Sequence, residues 1–338
     1  MSAKTMKVGV VTAPGTFEVQ DRPLPVAAPD GWVLIEICAV GVCGTDYHIL
    51  EGKHPFLAYP RIIGHELSGR VLQDGNGWAE GDLVVVNPYL SCGTCRACIR
   101  GKPNCCYNIQ VLGVHRDGGL ARRLAVPAEN LYPADGLSPQ QAAMVEFLAI
   151  GAHAVRRSEV AARDRVLVTG VGPIGIGAAL FARLTGAEVS LLDHSPDRLR
   201  MAQDRFGFAS GHLSVDAAIA ATHGEGYDVV FDATGHGGAI EAGFAAVAHG
   251  GSYTLVSVVK DDITFHDPDF HKRELRLIGS RNALRADFDW VIAAFGAGDI
   301  DAAALCSSQV SLDAFAATFG ELAADRSSLI KVIVQMQS

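Results

Sequence analysis

The chain has 338 residues, 49% of them hydrophobic, and its 28 lysines and arginines against 37 aspartates and glutamates give a formal net charge of −9. This length exceeds one ordinary core and predicts two domains, while the acidic balance excludes a basic nucleic-acid-binding face. No apolar run reaches the roughly 20 residues of a membrane-spanning helix and no secretory leader pattern is present, so we expect a cytoplasmic protein without a membrane partner.

The first 150 residues are rich in short β-type runs. Trp32–Ile37 and Leu83–Val86 are typical of strands, and Gly, Pro and Asp turns separate such runs. These features predict a twisted, β-rich domain.

Possible zinc ligands lie on separate elements of this region. Cys43 lies in the segment Gly41–His48, His65 and Glu66 follow Gly64, and Glu146 comes near residue 150. One thiolate, one imidazole and a carboxylate suit a catalytic zinc with one position left for water or substrate. His65 alone would more simply be a structural histidine, but its occurrence with Cys43 and a dinucleotide-binding pattern favours the metal site.

A second cysteine cluster occupies the string CGTCRACIRGKPNCC. Cys92, Cys95 and Cys98, with Cys105 or Cys106 as the fourth member, have the spacing of a closed, structural four-thiolate zinc site. Disulfides, a redox pair and a nucleic-acid-binding zinc ribbon are the alternatives. The length of the chain argues against a disulfide framework, and its acidity argues against the ribbon.

A dinucleotide-binding pattern begins at residue 165. The apolar strand Arg165–Thr169 is followed by Gly170, Gly172 and Gly175, then by a helix over about 174–185 and a second strand over 188–193. Gly170 permits the tight turn, Gly172 lets the backbone approach a pyrophosphate, and Gly175 allows close packing of helix and strand. Pro173 and Ile174 open the helix, whose N-terminal amides face the phosphates.

The end of the second strand selects the cofactor. Asp193 accepts hydrogen bonds from ribose hydroxyls and repels the extra phosphate of NADP, so NAD is favoured, although Arg198 lies close in sequence. Further strands are expected in 227–235, 251–258 and 275–280. Thr234 and Ser257 lie at the ends of two of them and are expected to line the nicotinamide crevice.

The C-terminal segment is expected to return to the first domain, because Leu329–Val334 has the pattern of a strand that a complete nucleotide sheet does not need. The predicted limits are 1–148 for the catalytic zinc domain, 149–284 for the NAD-binding domain and 285–338 for the returning segment. The fold class is α/β.

The sequence resembles the zinc-dependent medium-chain alcohol and polyol dehydrogenases over essentially its whole length. The motifs that carry the resemblance are Gly41–His48, Gly64–Glu66, Cys92–Cys106, Glu146–Leu148 and the glycine pattern. It implies a GroES-like catalytic domain, a Rossmann domain, two zinc ions per subunit and a homodimer or homotetramer. Asn104 matches a family asparagine two residues before the last thiolate, which selects Cys106. Phe147 replaces the family's proline and alters the expected substrate pocket.

The resemblance also implies roles for individual residues. Cys43, His65 and either Glu66 or Glu146 hold the catalytic zinc, with one acid bound at a time. Thr45 takes the proton of a secondary alcohol and passes it through the cofactor ribose to His48, which exchanges it with solvent, while hydride passes to NAD. Asp46 orients a ligand histidine. Thr45 and Asp46 are otherwise common turn residues, and His48 an ordinary surface histidine.

Several segments are most similar to dehydrogenases of sugar acids, such as L-galactonate, L-gulonate and L-idonate 5-dehydrogenases. The expected substrate contacts are Tyr47, His115, Arg116, Phe147 and Lys272, and Arg281 and Asn282 are assigned to the cofactor. A polyhydroxy carboxylate needs a cation, which His115, Arg116, Lys272 or Arg281 can supply. A neutral polyol or secondary-alcohol dehydrogenase is the second reading, and a non-catalytic NAD- and zinc-binding protein is the third.

Overall fold

The computed structural model describes residues 4–53, 57–324, 326 and 329–336. The chain divides into two compact units, Met1–Glu146 with Ile292–Ser338, and Phe147–Val291. The second limit falls inside a helix, Arg285–Ala297. No described helix has the length and apolar character needed to cross a membrane.

Elements are numbered in chain order. The first 143 residues contain β1 (Thr5–Ala13), β2 (Thr16–Pro23), β3 (Trp32–Val42), α1 (Gly44–Leu50), β4 (Arg61–Ile62), β5 (Glu66–Val71), β6 (Leu83–Val86), β7 (Tyr89–Leu90), α2 (Arg96–Ile99), β8 (Gln110–Val111), β9 (Arg123–Pro127), β10 (Leu131–Pro133) and α3 (Pro139–Ala143). Then follow α4 (Val145–Arg157), β11 (Arg165–Thr169), α5 (Pro173–Leu184), β12 (Glu188–Leu192), α6 (Pro196–Phe206), β13 (Gly211–His212), α7 (Val215–Ala221), β14 (Tyr227–Asp232), α8 (Gly237–Gly243), β15 (Val247–Leu255), α9 (Asp267–Lys272) and β16 (Arg276–Gly279). The chain closes with α10 (Arg285–Ala297), α11 (Ala302–Leu305), β17 (Cys306–Ser311), α12 (Leu312–Ala324) and β18 (Lys331–Gln335).

The first unit is built on a seven-stranded sheet of order β10-β6-β5-β3-β18-β17, in which β9 also pairs with β3. Strand β3 is apolar and buried along most of its length, which suits the central strand of a core. The strand expected near 329–334 is present as β18 and pairs antiparallel with β3. The C-terminal segment therefore completes this sheet.

The register of these strands brings three chain segments to one end of the sheet. Gly41 of β3 faces Glu66 of β5, and Val42 faces Val332 of β18. Because neighbouring strands run antiparallel, the end of β3 meets the beginnings of β5 and β18. Cys43, Glu66 and Lys331 therefore lie together.

The second unit has a six-stranded parallel sheet of order β13-β12-β11-β14-β15-β16. That order, with the first strand in the middle, is characteristic of doubly wound nucleotide-binding folds. Val166, Leu167 and Val168 of β11 are fully buried, as expected for a strand in the middle of a parallel sheet. The predicted fold class, a β-rich unit joined to a parallel α/β unit, is confirmed.

Candidate metal and cofactor sites

A cluster of three possible metal ligands lies at the end of the seven-stranded sheet. One ligand atom each from Cys43, His65 and Glu66 lies within 4.8 Å of the others. Gly41 makes room for the carboxylate, since a Cβ at that position would lie 2.1 Å from Glu66 Oε2. The sheet thus forms a compact thiolate, imidazole and carboxylate set.

Asp46 holds two parts of this cluster in place. It is buried, and its Oδ2 accepts a hydrogen bond from the Cys43 backbone N–H at 2.9 Å, while Oδ1 accepts one from Gly64 N–H at 3.3 Å. His65 Nδ1 lies 3.7 Å from Asp46 Oδ1. Burial alone would lower the pKa of His65, but the negative charges of Asp46 and Cys43 raise it well above its usual value. The side chain of Asp46 therefore faces His65, and its role in orienting a metal ligand stays a prediction.

A buried lysine partners the first of the two acids. Lys331 Nζ donates to Glu66 Oε1 at 2.6 Å and to the Val42 carbonyl at 3.2 Å. Burial alone would lower the pKa of Lys331, but the charge of Glu66 raises it above its usual value. This residue was not predicted from the sequence, although a lysine inside the apolar run Leu329–Val334 is itself a signal of a buried charge pair.

The second acid, Glu146, has a different partner. The hydroxyl of Tyr89 donates to its carboxylate; Glu146 is buried and Tyr89 is half-buried. Burial raises the pKa of Glu146 to about 7, against the opposing charge of His65. No pattern in the sequence singles out Tyr89. The two acids are thus held by partners of different charge, an ammonium and a phenol.

The residues fit a zinc ion. Among the described residues, Glu66 Oε2 and His65 Nδ1 are buried and have no hydrogen-bond partner. A buried carboxylate oxygen without a partner is costly, and a cation beside it removes that cost. The donor set of sulfur, nitrogen and oxygen is one that zinc accepts.

Helix α1 carries the residues expected to move the proton. Thr45 is half-buried and His48 is exposed, and their three-residue spacing places them on one face of the helix. Partial burial lowers the pKa of His48, and the positive charge of Arg326 lowers it further. Tyr47 is buried, with the Arg326 guanidinium carbon 5.1 Å from its ring centre.

The four-cysteine lobe forms a second group of residues that could hold a metal ion. Cys92, Cys95, Cys98 and Cys106 place their sulfur atoms within 4.8 Å of one another, whereas Cys105 is exposed and outside the group. The separations of 3.5 Å for Cys95–Cys98 and Cys92–Cys106 and 3.9 Å for Cys95–Cys106 are close to the sulfur–sulfur edge of about 3.8 Å in a tetrahedral zinc site. They are far longer than a disulfide bond of about 2.05 Å. The geometry fits a closed zinc site.

The glycine loop of the second unit has the three properties expected of it. Gly170 adopts φ +89°, which favours glycine. A Cβ on Gly175 would lie 1.8 Å from the Gly170 carbonyl oxygen, so helix and strand pack closely there. A Cβ on Gly172 would meet nothing within 4 Å, which leaves its backbone open to a ligand. Helix α5 then begins at Pro173, followed by Ile174.

A cavity of about 640 Å³ lies at the carboxyl ends of β11, β12 and β14. The predicted cofactor residues that line it are Gly170, Gly172, Asp193, Arg198 and Thr234, and His194 and His236 line it as well. This is where a doubly wound sheet binds its ligand.

Asp193 is fixed at the edge of this cavity. Its Oδ2 accepts from Val171 N–H at 2.8 Å and its Oδ1 from Ser195 N–H at 2.9 Å. Arg198 Nη1 lies 3.7 Å from Asp193 Oδ2. The carboxylate is therefore oriented by the backbone and partly balanced by the arginine.

Two predicted cofactor residues meet on an acid that the sequence analysis missed. Asp232 is fully buried at the end of β14 and accepts hydrogen bonds from the Thr234 and Ser257 hydroxyls, each at 2.7 Å. An aspartate directly after the apolar residues Val229–Phe231 of β14 was the available signal. Asp232 thus ties together the loops that follow β14 and β15.

The remaining candidates are more dispersed. His115 Nδ1 accepts from Val111 N–H, and Arg116 donates to Gln110 and lies over the Trp32 ring. Lys272 is exposed at the end of α9, Arg281 and Asn282 follow β16, and Phe147 is buried in α4. Their substrate and cofactor roles stay predictions.

Comparison with known proteins defines the class. Residues 29–136 match the model of the alcohol dehydrogenase GroES-like domain, and residues 173–297 match that of the zinc-binding dehydrogenases. The chain belongs to the zinc-type alcohol dehydrogenase family, whose members are oxidoreductases acting on CH–OH groups.

Individual relatives cover the whole chain. It is 39% identical over 337 residues to L-galactonate-5-dehydrogenase of Escherichia coli K12, covering 98% of this chain and 99% of that protein. The solved structure of an alcohol dehydrogenase of E. coli CFT073 in complex with NADH has a TM-score of 0.91 at 27% identity, covering 98% and 99% of the two chains. A protein of Sinorhizobium meliloti 1021 described as a zinc-binding dehydrogenase, bound to NADP, has a TM-score of 0.90 at 28% identity, covering 98% and 100%.

Proposed function

We propose that this protein oxidises a secondary alcohol of a sugar acid, with NAD as the hydride acceptor. The observation that carries the reaction class is the cluster of half-buried Cys43 with buried His65 and Glu66, whose ligand atoms lie within 4.8 Å of one another in a member of the zinc-type alcohol dehydrogenase family. The sugar-acid substrate is supported by the 39% identity to L-galactonate-5-dehydrogenase along 98% of the chain.

We assign the catalytic zinc to Cys43, His65 and Glu66, and a structural zinc to Cys92, Cys95, Cys98 and Cys106. Glu146, whose carboxylate is held by Tyr89, is the alternate acid. A zinc ion in the first set supplies a Lewis acid that lowers the pKa of an alcohol hydroxyl. In this assignment 1–148 and 285–338 carry both metals and 149–284 carries the cofactor.

The chain's own residues then handle the proton. The Thr45 hydroxyl accepts the substrate's proton while it releases its own into the proton relay, and the His48 imidazole accepts a proton from that relay and releases it to solvent. His48 suits this task because it is exposed and its pKa is lowered, so its imidazole is neutral and able to accept a proton at neutral pH. Asp46 contributes by fixing the Cys43 backbone and facing His65.

The preference for NAD rests on Asp193. Its buried carboxylate lies at the edge of the cofactor cavity, where it accepts from ribose hydroxyls and repels an additional phosphate. Arg198, 3.7 Å away, is the residue that opposes this preference, because a guanidinium binds phosphate well.

A neutral polyol is the second candidate substrate. The observation in its favour is that Arg116, one of the predicted carboxylate partners, is already engaged by Gln110 and Trp32. A neutral polyol needs hydrogen-bond partners for its hydroxyl groups but no cation for a carboxylate.

The test is cofactor reduction by the zinc-analysed protein on matched substrates. L-galactonate and L-gulonate are compared with galactitol and sorbitol, which lack the carboxylate, and each is offered NAD and NADP in parallel. Turnover confined to the aldonates with NAD supports the proposal. Turnover on the polyols alone overturns the sugar-acid assignment, and faster turnover with NADP overturns the cofactor assignment. Zinc binding without any turnover favours a non-catalytic protein. We also propose a homodimer or homotetramer, which light scattering tests.

A further inference from the structure

A separate cavity of about 460 Å³ lies in the first unit, beside β1 and β4 and next to the segment 117–125. Val10, Ile62 and Leu124 form part of its apolar wall. It shares no lining residue with the metal cluster or with the cofactor cavity. Its volume is in the range of small-molecule sites.

The charged part of the lining is dominated by arginine. Arg22, Arg61 and Arg123 face this cavity with Asp117, so that three cations and one anion leave two net positive charges. Arg22 is exposed, whereas Arg61 and Arg123 are half-buried. In a protein whose formal net charge is −9, this concentration of positive charge is local.

Two of the guanidinium groups are only partly used by the protein. Arg61 Nη1 donates to Asp117 Oδ1 at 2.9 Å, and Arg123 Nη1 donates to the Pro25 carbonyl at 3.2 Å. The Nε–H groups of both arginines are buried and have no acceptor among the described residues. A buried charged donor without an acceptor is costly, and a negative charge held in the cavity by the other N–H groups of the same half-buried guanidinium offsets part of that cost.

Asp117 orients the guanidinium group of Arg61. Its Oδ1 also accepts from the Ile62 backbone N–H at 3.3 Å, which ties the carboxylate to β4 and fixes the guanidinium of Arg61. An oriented guanidinium binds a planar carboxylate with less loss of side-chain entropy than a mobile one.

We propose that this cavity binds a small dicarboxylate. Two carboxylates match the two net positive charges, the planar guanidinium groups match the planar carboxylate groups, and the apolar wall covers the carbon chain between them. The site is independent of the proposed alcohol oxidation, since none of its residues belongs to the metal or cofactor groups.

The experiment is calorimetric titration of the full-length, zinc-loaded protein with succinate, beside propionate and inorganic phosphate. The variants Arg22→Met, Arg61→Met and Arg123→Met each remove one cation from the cavity. Arg200→Met is the matched control, because it removes the same charge from an exposed ion pair with Asp197 in the second unit. The Arg22→Met variant keeps the test valid if the other two cavity variants misfold, because Arg22 is exposed and its replacement is not expected to disturb the fold. Thermal unfolding of every variant is recorded in parallel.

We expect one succinate to bind per chain and propionate to bind more weakly. Each of the three cavity variants lowers the succinate affinity, and Arg61→Met and Arg123→Met lower it by about tenfold or more because a hydrogen bond to a charged group is lost. Arg200→Met leaves it unchanged. Absent or non-saturating binding, or an equal loss in Arg200→Met, overturns the site. Phosphate binding more tightly than succinate, with the same arginine dependence, overturns the dicarboxylate assignment.

Discussion

Lys331 Nζ lies 2.6 Å from Glu66 Oε1, and both side chains are almost completely buried. The two residues begin strands β18 and β5, which both pair with β3. The lysine thus supplies a fixed positive charge behind a carboxylate whose second oxygen, Oε2, has no hydrogen-bond partner among the described residues. Lys331 is therefore a positioning residue for Glu66.

Replacing Lys331 by methionine leaves a buried carboxylate without its counter-ion. We expect Lys331→Met to lower the free energy of unfolding by about 3–5 kcal/mol, as for other buried pairs that lose one partner. Lys331→Arg keeps the charge and is the matched control. Chemical denaturation at equal zinc content measures both, and a Lys331→Met variant as stable as the original protein would contradict the assigned role.

Serine substitutions in the two cysteine-containing sites are expected to have different effects. Cys43→Ser should lower turnover by at least about 100-fold, since even partners of metal ligands contribute roughly 10–100-fold, while NAD affinity stays largely intact. Cys95→Ser should mainly reduce folding and assembly, because a closed zinc site contributes folding energy. The neighbouring Cys105→Ser is the control, as Cys105 is exposed and lies outside the group.

Zinc content per chain, soluble yield and NAD titration separate these outcomes. Equal loss of NAD binding with full solubility in both Cys43→Ser and Cys95→Ser would refute the division between catalytic and structural metal.

Alanine substitutions at Gly172 and Gly175 form a matched pair of variants in the glycine loop. Gly172→Ala adds a methyl group where no atom lies within 4 Å, so the fold is kept while the approach of the pyrophosphate is blocked. We expect NADH affinity, followed by fluorescence titration, to fall roughly tenfold or more. Gly175→Ala places its Cβ 1.8 Å from a carbonyl oxygen, so it should lower stability by about 1–3 kcal/mol. Unchanged NADH affinity in Gly172→Ala would exclude the loop as the pyrophosphate site.

The pH dependence of turnover should report His48. A base accepts a proton only when neutral, so alcohol oxidation declines as the pH falls through its pKa. Burial and the charge of Arg326 lower the pKa of His48, whereas Glu51 opposes them. Arg326→Gln removes a positive charge, raises the pKa of His48 and moves the acidic limb of kcat to higher pH.

His48→Gln should remove that limb without changing zinc content. Retention of the limb in His48→Gln would show that another group controls it. A limb that moves to lower pH in Arg326→Gln would contradict the electrostatic argument.

The fold and much of the candidate site could be predicted from short segments. The strand Arg165–Thr169 and the three following glycines lie next to one another in the chain, so their spacing is fixed by covalent geometry and does not depend on the rest of the fold. Asp46 similarly lies in the first turn of α1, three residues after the N-cap residue Cys43, and accepts a hydrogen bond from the Cys43 backbone N–H. The cysteine spacing predicted the lobe, although the choice of Cys106 over Cys105 needed the family resemblance.

Tertiary structure alone decided the contacts between distant segments. Lys331 reaches Glu66 across 265 residues and Tyr89 reaches Glu146 across 57, because strand register and packing bring them together. The position of the Arg116 guanidinium over the Trp32 ring, 84 residues away, has the same origin, and its predicted substrate contact stays a prediction. The sequence by itself determined which chemical groups this protein carries and which of them are neighbours along a turn or loop. The pairing of β3 with β5 and β18 decided which charges face the candidate metal ligands, since a shift of one residue in register would turn those side chains to the other face of the sheet.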